Sequence, residues 1–511
     1  MRFRPAVPRA RRSSWLALGA ALLVLVAACS APAAETGPVP ASSAPTGPLP
    51  LGTNGTAVPK LAWTPCHGAF QCATAPVPLS YREPGGAKIN LAVIRMPAAD
   101  PAHRVGSLVI NFGGPGTDGV GELTRFGARY PDELRARFDL VSFDPRGIGG
   151  SAPVRCPGTP AAAGSPLRDS AAFWAASASV GKACAAGTGA ELSHLSTANV
   201  ARDMDLLRQA LGEKQLNYYG YSYGTYLGGT YANLFPDKLR AMALDGTLDL
   251  VANATGQPGQ QDKPVDVRAD VATAQQQELE AFFAACTAAG PAKCAFAGGD
   301  LKQKFAAAYA RLTHGPVGGM TVASLMETID RALYQSSRWP RLARTLAGLV
   351  PPSPADTAPV LDPRVPTHSP GFLAVQCLDS QLPQNPAQYA ALAAAEAKRQ
   401  PYFGVAPVFS MAQCVGWPAQ DPDRYLGPWN RQRQHPTLIL ANRYDPVTPL
   451  ANAQATAREL GDGHVVVVDG AGHTTLDVPS TAASAALVRY FADLTLPPEG
   501  TVYPPVVRAF P

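Results

Sequence analysis

One pentapeptide, Gly220 to Gly224, constrains the fold of this chain more than any other stretch. It reads Gly-Tyr-Ser-Tyr-Gly, and its serine, Ser222, stands between an aromatic-rich run at 216–219 and a run of small and apolar residues at 225–234. The first run is typical of a buried strand and the second of a helix. The pattern alone arises often by chance, but a strand before it and a helix after it favour a strained turn that presents a nucleophilic serine.

Strands and helices alternate on both sides of this turn. Helix 200–211 precedes it, and residues 77–81 and 89–96 read as a hairpin near the start of the chain. Further buried strands are predicted at 107–112, 138–143, 239–244, 436–442 and 464–469. This alternation predicts an α/β fold with a mostly parallel sheet and helices on both faces.

The strand pattern stops between residues 249 and 407. Helices are predicted there at 271–289, 301–312, 322–334, 341–349 and 386–398. A helical block inserted between strands of one sheet lies over the carboxyl ends of the strands, so we interpret 249–407 as a lid. The core then has two parts, 61–248 and 408–511.

The first 28 residues read as an export signal. Residues 15–28 form an uncharged apolar stretch that is too short to span a bilayer, and Cys29 follows it directly. This ending resembles a bacterial lipobox and predicts lipidation of Cys29, with ordinary signal cleavage as the alternative. Residues 29–60 are rich in proline and glycine and predict a disordered tether. The basic part of the signal consists of Arg2, Arg4, Arg9, Arg11 and Arg12.

Charge and cysteine content narrow the function classes. Beyond the five arginines of the signal the chain carries 38 basic and 38 acidic residues, so nothing suggests a nucleic-acid partner or a polybasic membrane surface. Eight cysteines remain after Cys29, and an even number in an exported chain favours four disulfides over a metal site. No cofactor is expected. The predicted pairs are sequential neighbours: Cys66 with Cys72, Cys156 with Cys184, Cys286 with Cys294, and Cys377 with Cys414.

The two last strands each lead into a candidate partner for the serine. Asp445 follows the first strand and His473 follows the second. His473 would take the proton from Ser222, and Asp445 would hold the imidazole in the right tautomer. The order Ser, Asp, His along the chain is that of the α/β-hydrolases.

Three further positions fit this chemistry. The backbone amide of Tyr223, together with the pair Gly113-Gly114 after a core strand, would donate to the oxyanion of a tetrahedral intermediate. Thr448 stands three residues after Asp445, where it would support that carboxylate by a hydrogen bond or cap the next helix.

Several motifs together resemble one family, the secreted bacterial tripeptidyl aminopeptidases, which are related to proline iminopeptidases. The resemblance covers nearly the whole mature chain and implies the α/β-hydrolase fold and the release of short peptides, often tripeptides, from free N-termini. The iminopeptidase pattern begins its glycine motif with His, where this chain has Phe112. The motifs are 112–116 (FGGPG), 144–151 (DPRGIGGS), 220–228 (GYSYGTYLG), 232–236 (ANLFP), 337–343 (SRWPRLA) and 445–449 (DPVTP).

An exopeptidase must also recognise the α-ammonium of its substrate, so a carboxylate from the lid is expected above the cleft. Asp379, within Cys377-Leu378-Asp379, is the first candidate, and Glu327 and Asp330 are alternatives.

The leading hypothesis is therefore a serine aminopeptidase that acts on peptide or protein N-termini and touches the membrane only through its N-terminal lipid. It would be a cell-surface lipoprotein, or secreted if Cys29 is not lipidated. An esterase or lipase with the same triad is the second hypothesis, because fold and triad do not fix the acyl group. A catalytically silent binding protein is the third, and the intact triad argues against it.

Overall fold

The computed structural model describes residues 51–159, 165–350, 368–506 and 509–510. The predicted export signal, Cys29 and most of the predicted tether lie outside these residues. The described residues belong to one compact unit, Gly47–Pro511. Within these ranges no helix is long and apolar enough to cross a membrane.

A single mixed sheet runs through the described part of the chain. Its strands are β1 (Thr64–Cys66), β2 (Phe70–Pro78), β3 (Lys88–Met96), β4 (Gly106–Asn111), β5 (Phe138–Phe143), β6 (Leu216–Tyr221), β7 (Leu239–Asp245), β8 (Thr437–Tyr444), β9 (Gly463–Ala471) and β10 (Val502–Tyr503). They lie in the order β1-β2-β3-β5-β4-β6-β7-β8-β9-β10. The pairs β1/β2, β2/β3 and β3/β5 are antiparallel, and every pair from β5 to β10 is parallel. The sheet is mostly parallel, as predicted.

The central strands β4, β5 and β6 are buried along their whole length. Helices cover both faces of a parallel sheet, so its strands lack a solvent-facing side and consist of nearly continuous apolar residues. The flanking core helices are α1 (Gly119–Phe126), α2 (Asp132–Arg137), α3 (Ser170–Thr188), α4 (Thr197–Ala210) and α5 (Tyr223–Leu234).

Between β7 and β8 the described residues contain helices and no strand. Four of these helices share one apolar cluster around Phe282 and Trp339. The helices are α6 (Leu250–Ala254), α7 (Val265–Arg268), α8 (Val271–Ala289), α9 (Leu301–Thr313), α10 (Val322–Leu333), α11 (Trp339–Leu349), α12 (Pro370–Asp379), α13 (Pro386–Arg399) and α14 (Val405–Phe409).

The last part of the chain returns to the sheet. Three helices follow β8, and they pack the two late strands against the rest of the core. They are α15 (Leu450–Leu460), α16 (Thr474–Asp477) and α17 (Thr481–Asp493).

The structure contains four disulfides between sequential neighbours. They join Cys66 to Cys72, Cys156 to Cys184, Cys286 to Cys294 and Cys377 to Cys414. Among the described residues, the one group with metal-ligand spacing is Cys66, His67 and Cys72. Both of its sulfurs are bonded to each other, so they are not available as thiolate ligands.

Candidate active site

Ser222 lies at the turn from β6 into α5, and its backbone has φ 52° and ψ −123°. A non-glycine residue is strained at positive φ, and strain of this kind is typical of functional sites. The flanking glycines are required by close backbone approach. A Cβ at Gly220 would lie 2.3 Å from the carbonyl oxygen of Gly224, and a Cβ at Gly224 would lie 2.7 Å from that of Asn111. The sequence around the serine therefore folds into the elbow that its pattern predicts.

Asp445 and His473 come from the ends of two neighbouring strands. Asp445 follows β8 directly, and His473 stands two residues after β9. The Nδ1 atom of His473 lies 2.9 Å from Oδ2 and 3.0 Å from Oδ1 of Asp445. Both side chains are buried, and His473 lines the same cavity as Ser222. Ser222 and His473, more than 200 positions apart in the sequence, thus line one cavity at the carboxyl ends of the strands.

The carboxylate of Asp445 is held by the loop that follows it. The amides of Val447 and Thr448 donate to Oδ1 at 2.9 and 2.8 Å, and the Thr448 hydroxyl donates to Oδ2 at 2.9 Å. Helix α15 begins after Pro449 without a side-chain cap. Of the two roles expected for Thr448, the structure shows the hydrogen bond to Asp445.

The electrostatic environment favours the protonated form of His473. Burial lowers the pKa of His473, but the adjacent Asp445 carboxylate, together with Asp245 and Asp477, more than offsets this, so that the pKa lies above its ordinary value. A base with a raised pKa holds the proton more firmly once it has taken it from a hydroxyl.

Of the three backbone amides expected as oxyanion donors, one is engaged in another hydrogen bond. The Gly113 amide donates to Oδ1 of Asn111 at 3.0 Å and is therefore already engaged. The amides of Gly114 and Tyr223 donate no hydrogen bond to another described residue. Gly113 instead provides close approach, because a Cβ there would lie 2.8 Å from the Cβ of Ser222.

A cavity of about 550 Å³ opens over Ser222 and His473. Its floor comes from the core, including Gly114 and Thr448, and its other walls come from the helices between β7 and β8. The volume suits a small molecule or a few amino-acid residues.

The charged side chains that line this cavity are mostly acidic. Three acids line it, Asp249, Asp266 and Asp330, and no lysine or arginine of the described residues does. His368 also lines it, but burial lowers its pKa to about 4, so its ring is neutral at pH 7. A cavity with acids and no fixed cation attracts a positively charged group.

The expected ammonium anchor, Asp379, requires correction. Its carboxylate does not line the cavity, because α12 directs it into the core, where it accepts hydrogen bonds from the amide and hydroxyl of Thr197. Glu327 does not line the cavity either, and it pairs with Arg331 on the same helix at 2.6 Å. Asp330 does line it, and accepts a hydrogen bond from Gln275 at 3.3 Å.

Sequence reasoning missed Asp266. This residue lies in the four-residue helix α7, which has no motif around it, so only the folded lid shows that it faces the cavity. Burial raises the pKa of Asp266, and a hydrogen bond from Ser410 offsets part of that rise. Asp249 is less available, because it caps α6 and accepts hydrogen bonds from Gln257.

Comparisons with known proteins agree with this geometry. Residues 107–285 match the family model described as "alpha/beta hydrolase fold", and residues 400–503 match the model described as "TAP-like protein". The chain is 30% identical over 409 residues to a tripeptidyl aminopeptidase of Streptomyces lividans, covering 75% of this chain and 74% of that protein.

Two mycobacterial proteins are similar over a larger share of the chain. Serine protease Hip1 of Mycobacterium tuberculosis is 29% identical over 498 residues, covering 87% of this chain and 92% of that protein. Carboxylesterase B of the same species is 30% identical over 483 residues, covering 86% and 89%. The chain is therefore a serine hydrolase with the α/β-hydrolase fold and belongs to the tripeptidyl aminopeptidase family.

Proposed function

We propose that this protein is an exported serine aminopeptidase that releases short peptides, tripeptides in particular, from free N-termini. The observation that carries the proposal is the joint position of Ser222 and His473 in a cavity whose lid supplies acids and no fixed cation. A nucleophile and its base explain hydrolysis, and the acids explain selection of an ammonium group.

The reaction follows from the positions of the side chains. His473 accepts the hydroxyl proton of Ser222 as the serine attacks the scissile carbonyl, while Asp445 stabilises the imidazolium that forms. The amides of Gly114 and Tyr223 donate to the oxyanion of the tetrahedral intermediate. His473 then protonates the leaving amine, and water hydrolyses the acyl-enzyme by the same steps.

Asp266 and Asp330 are the proposed anchors for the substrate ammonium, in place of Asp379. Both lie in the lid and both line the cavity. Burial makes the ionised form of Asp266 costly when no cation is present, and an ammonium group beside it would restore that form. Anchoring the N-terminus at a fixed distance from Ser222 would set the length of the released peptide.

A panel of chromogenic substrates tests the proposal. Tripeptide amides with a free N-terminus should be cleaved with a higher kcat/KM than single-residue amides or short-chain esters. Equal or better turnover of the esters, with little amide hydrolysis, would contradict the assignment as a peptidase.

An esterase is the second candidate function, and one observation favours it. A relative of similar identity and coverage bears the name carboxylesterase. The same triad and amides would hydrolyse an ester through the same intermediates. The substrate panel separates the two activities, because a dedicated esterase does not need a free amine in its substrate.

Export and lipidation are part of the proposal. The basic and apolar composition of residues 1–28 and the position of Cys29 support them, and the four disulfides fit an oxidising compartment. Metabolic labelling with a fatty acid should mark the wild-type protein and should not mark Cys29→Ser. An unlabelled wild-type protein found in the culture medium would point to ordinary signal cleavage.

A further inference from the structure

Asp245 occupies the end of β7, between the strand that carries Ser222 and the strand that leads to Asp445. Its main-chain carbonyl accepts the amide of Ser222 at 2.9 Å. The strained backbone of the nucleophile is therefore fixed by a hydrogen bond that its amide donates to the neighbouring strand. The next residue, Gly246, has φ 64°, which turns the chain away from the sheet.

The side chain of Asp245 makes a second connection. Its carboxylate accepts the amide of Thr475 at 3.0 Å, and it also accepts the hydroxyl of Thr475 and that of Tyr219, the latter at 2.9 Å. Thr475 stands two residues after His473. Asp245 is completely buried, so these hydrogen bonds form in an environment without competing water.

The loop that carries His473 packs directly on this end of β7. A Cβ added at Gly246 would lie 3.1 Å from Cε1 of His473 and 2.7 Å from Cγ2 of Thr474. Thr474 has φ 61°, a strained value for a residue other than glycine. A loop with such strain beside the base keeps its shape only when its surroundings hold it.

Asp245 also acts on His473 through its charge. Burial raises the pKa of Asp245 to about 6, although the hydrogen bonds from Thr475 and Tyr219 and the nearby His473 lower it. Above that pH its negative charge favours the protonated imidazole. The other titratable groups that face it are the phenols of Tyr130 and Tyr221.

We propose that Asp245 is a positioning residue that links the two halves of the catalytic machinery. Its carbonyl fixes the nucleophile elbow, and its carboxylate fixes the loop that carries the base. The inference rests on the proposed roles of Ser222 and His473. It adds to them a carboxylate that touches neither substrate nor reacting atoms.

Asp245→Asn tests the proposal, because asparagine keeps the shape and can still accept the Thr475 amide. We expect kcat to fall about 10- to 100-fold with KM nearly unchanged, as for residues that support a catalytic group. The acid limb of the pH profile of kcat/KM should move to lower pH, because the charge that favoured protonated His473 is gone. The melting temperature at pH 8 should not fall, because the ionised carboxylate is costly in the folded state.

Asp205→Asn is the matched control. Asp205 is also buried and also accepts a tyrosine hydroxyl, that of Tyr231 at 2.9 Å, but it lies on α4 and its other side-chain partners are Arg208 and Gln209, not the loop that carries His473. The control should change stability without moving the acid limb. If Asp245→Asn changes kcat and the acid limb of the pH profile no more than Asp205→Asn does, the proposal is wrong.

Thr475→Val keeps the inference testable if Asp245→Asn does not fold. This variant removes one hydrogen bond to the carboxylate and keeps the acid itself, so kcat should fall. Because that hydrogen bond lowers the pKa of Asp245, the acid limb should move in the same direction as in Asp245→Asn, but by less. Wild-type kcat in Thr475→Val would overturn the proposal. Ser222→Ala separates this inference from the function on which it rests, because turnover that survives Ser222→Ala would reject the mechanism itself, whatever Asp245 does.

Discussion

The floor of the cavity, formed by the core, and its roof, formed by the helices between β7 and β8, differ in which elements hold their functional groups. On the floor, Asp445 accepts hydrogen bonds from Val447, Thr448 and His473, and all of them lie in the loops that follow β8 and β9. On the roof, Asp266 lies in the four-residue helix α7, and Asp330 lies on α10 and accepts a hydrogen bond from Gln275 at 3.3 Å. A pre-organised floor fixes the chemistry, whereas the roof can change with the substrate.

The two regions therefore predict two kinds of mutational effect. Changes on the floor should lower kcat for every substrate, because they act on the transition state of the common reaction. Changes on the roof should lower kcat/KM only for substrates with a free amine. The predictions below test this division.

The largest effect is expected for the nucleophile. Ser222→Ala should lower kcat by about 10⁴-fold or more for amides and esters alike, because the hydroxyl forms the covalent intermediate. His473→Ala and Asp445→Asn should each cost several orders of magnitude, without adding to the loss in Ser222→Ala. Steady-state kinetics of the single and double variants, with melting curves to confirm folding, check this. Near-normal kcat in Ser222→Ala would exclude the mechanism.

The next effect concerns the roof. Asp266→Asn and Asp330→Asn should each lower kcat/KM for free tripeptide amides by about 10- to 100-fold, the usual cost of losing one partner of a charged hydrogen bond. Hydrolysis of a small activated ester should hardly change. Glu327→Gln is the matched control, because Glu327 belongs to the same lid but does not line the cavity. A loss in Glu327→Gln as large as in Asp266→Asn would break the division between roof and floor.

A third prediction concerns Thr448, whose hydroxyl supports Asp445 on the floor of the cavity. Thr448→Val removes the hydroxyl bond to Asp445 and leaves the two backbone amides in place, so kcat should fall about 10-fold for all substrates. Thr456→Val is a suitable control, because the Thr456 hydroxyl is also buried and donates to the carbonyl of Leu248 at 2.6 Å. If both variants lose the same small amount of kcat and of stability, Thr448 contributes only to packing.

The smallest effect on activity is expected at Asp379. Burial raises its pKa to about 7 despite two hydrogen bonds from Thr197, whereas an unfolded aspartate titrates near pH 4. The stability that this carboxyl contributes is complete below about pH 4 and is lost as the pH rises to about 7. The melting temperature of Asp379→Asn relative to wild type should therefore rise between pH 5 and pH 8. Loss of the preference for free amines in this variant would restore Asp379 as the anchor.

Most of the core could be predicted from sequence because its signals are local. Strand 138–143 has the predicted bounds, and most other core strands differ by one or two residues at their ends. The exception is the strand predicted at 77–81, because β2 spans Phe70–Pro78, and the short edge strands β1 and β10 were not predicted. The elbow at Ser222 could be predicted because its flanking glycines allow backbone segments to approach more closely than a side chain would permit. Helix α3 (Ser170–Thr188) was not predicted, because its alanine-rich sequence has almost no apolar periodicity.

The lid could be predicted as a helical block but not as a binding surface. Helix 271–289 has the predicted bounds. The side that each helix presents to the cavity depends on packing against helices far away in the sequence, and no motif encodes it. The sequence does not show that Asp379 points away from the cavity, because only the packing of α12 directs its carboxylate to Thr197. Asp266 was missed because no motif marks the short helix α7.

In the proposed function, the roof recognises a free amine while the floor hydrolyses the bond. The most direct measurement is the ratio of kcat/KM for a tripeptide amide with a free N-terminus to that for its N-acetyl form. We expect a ratio of about 100 or more for the wild type, because acetylation removes the charge that the acids of the roof attract. We expect a much smaller ratio for Asp266→Asn. Equal cleavage of the two substrates by the wild-type protein would contradict recognition of the free amine by the roof.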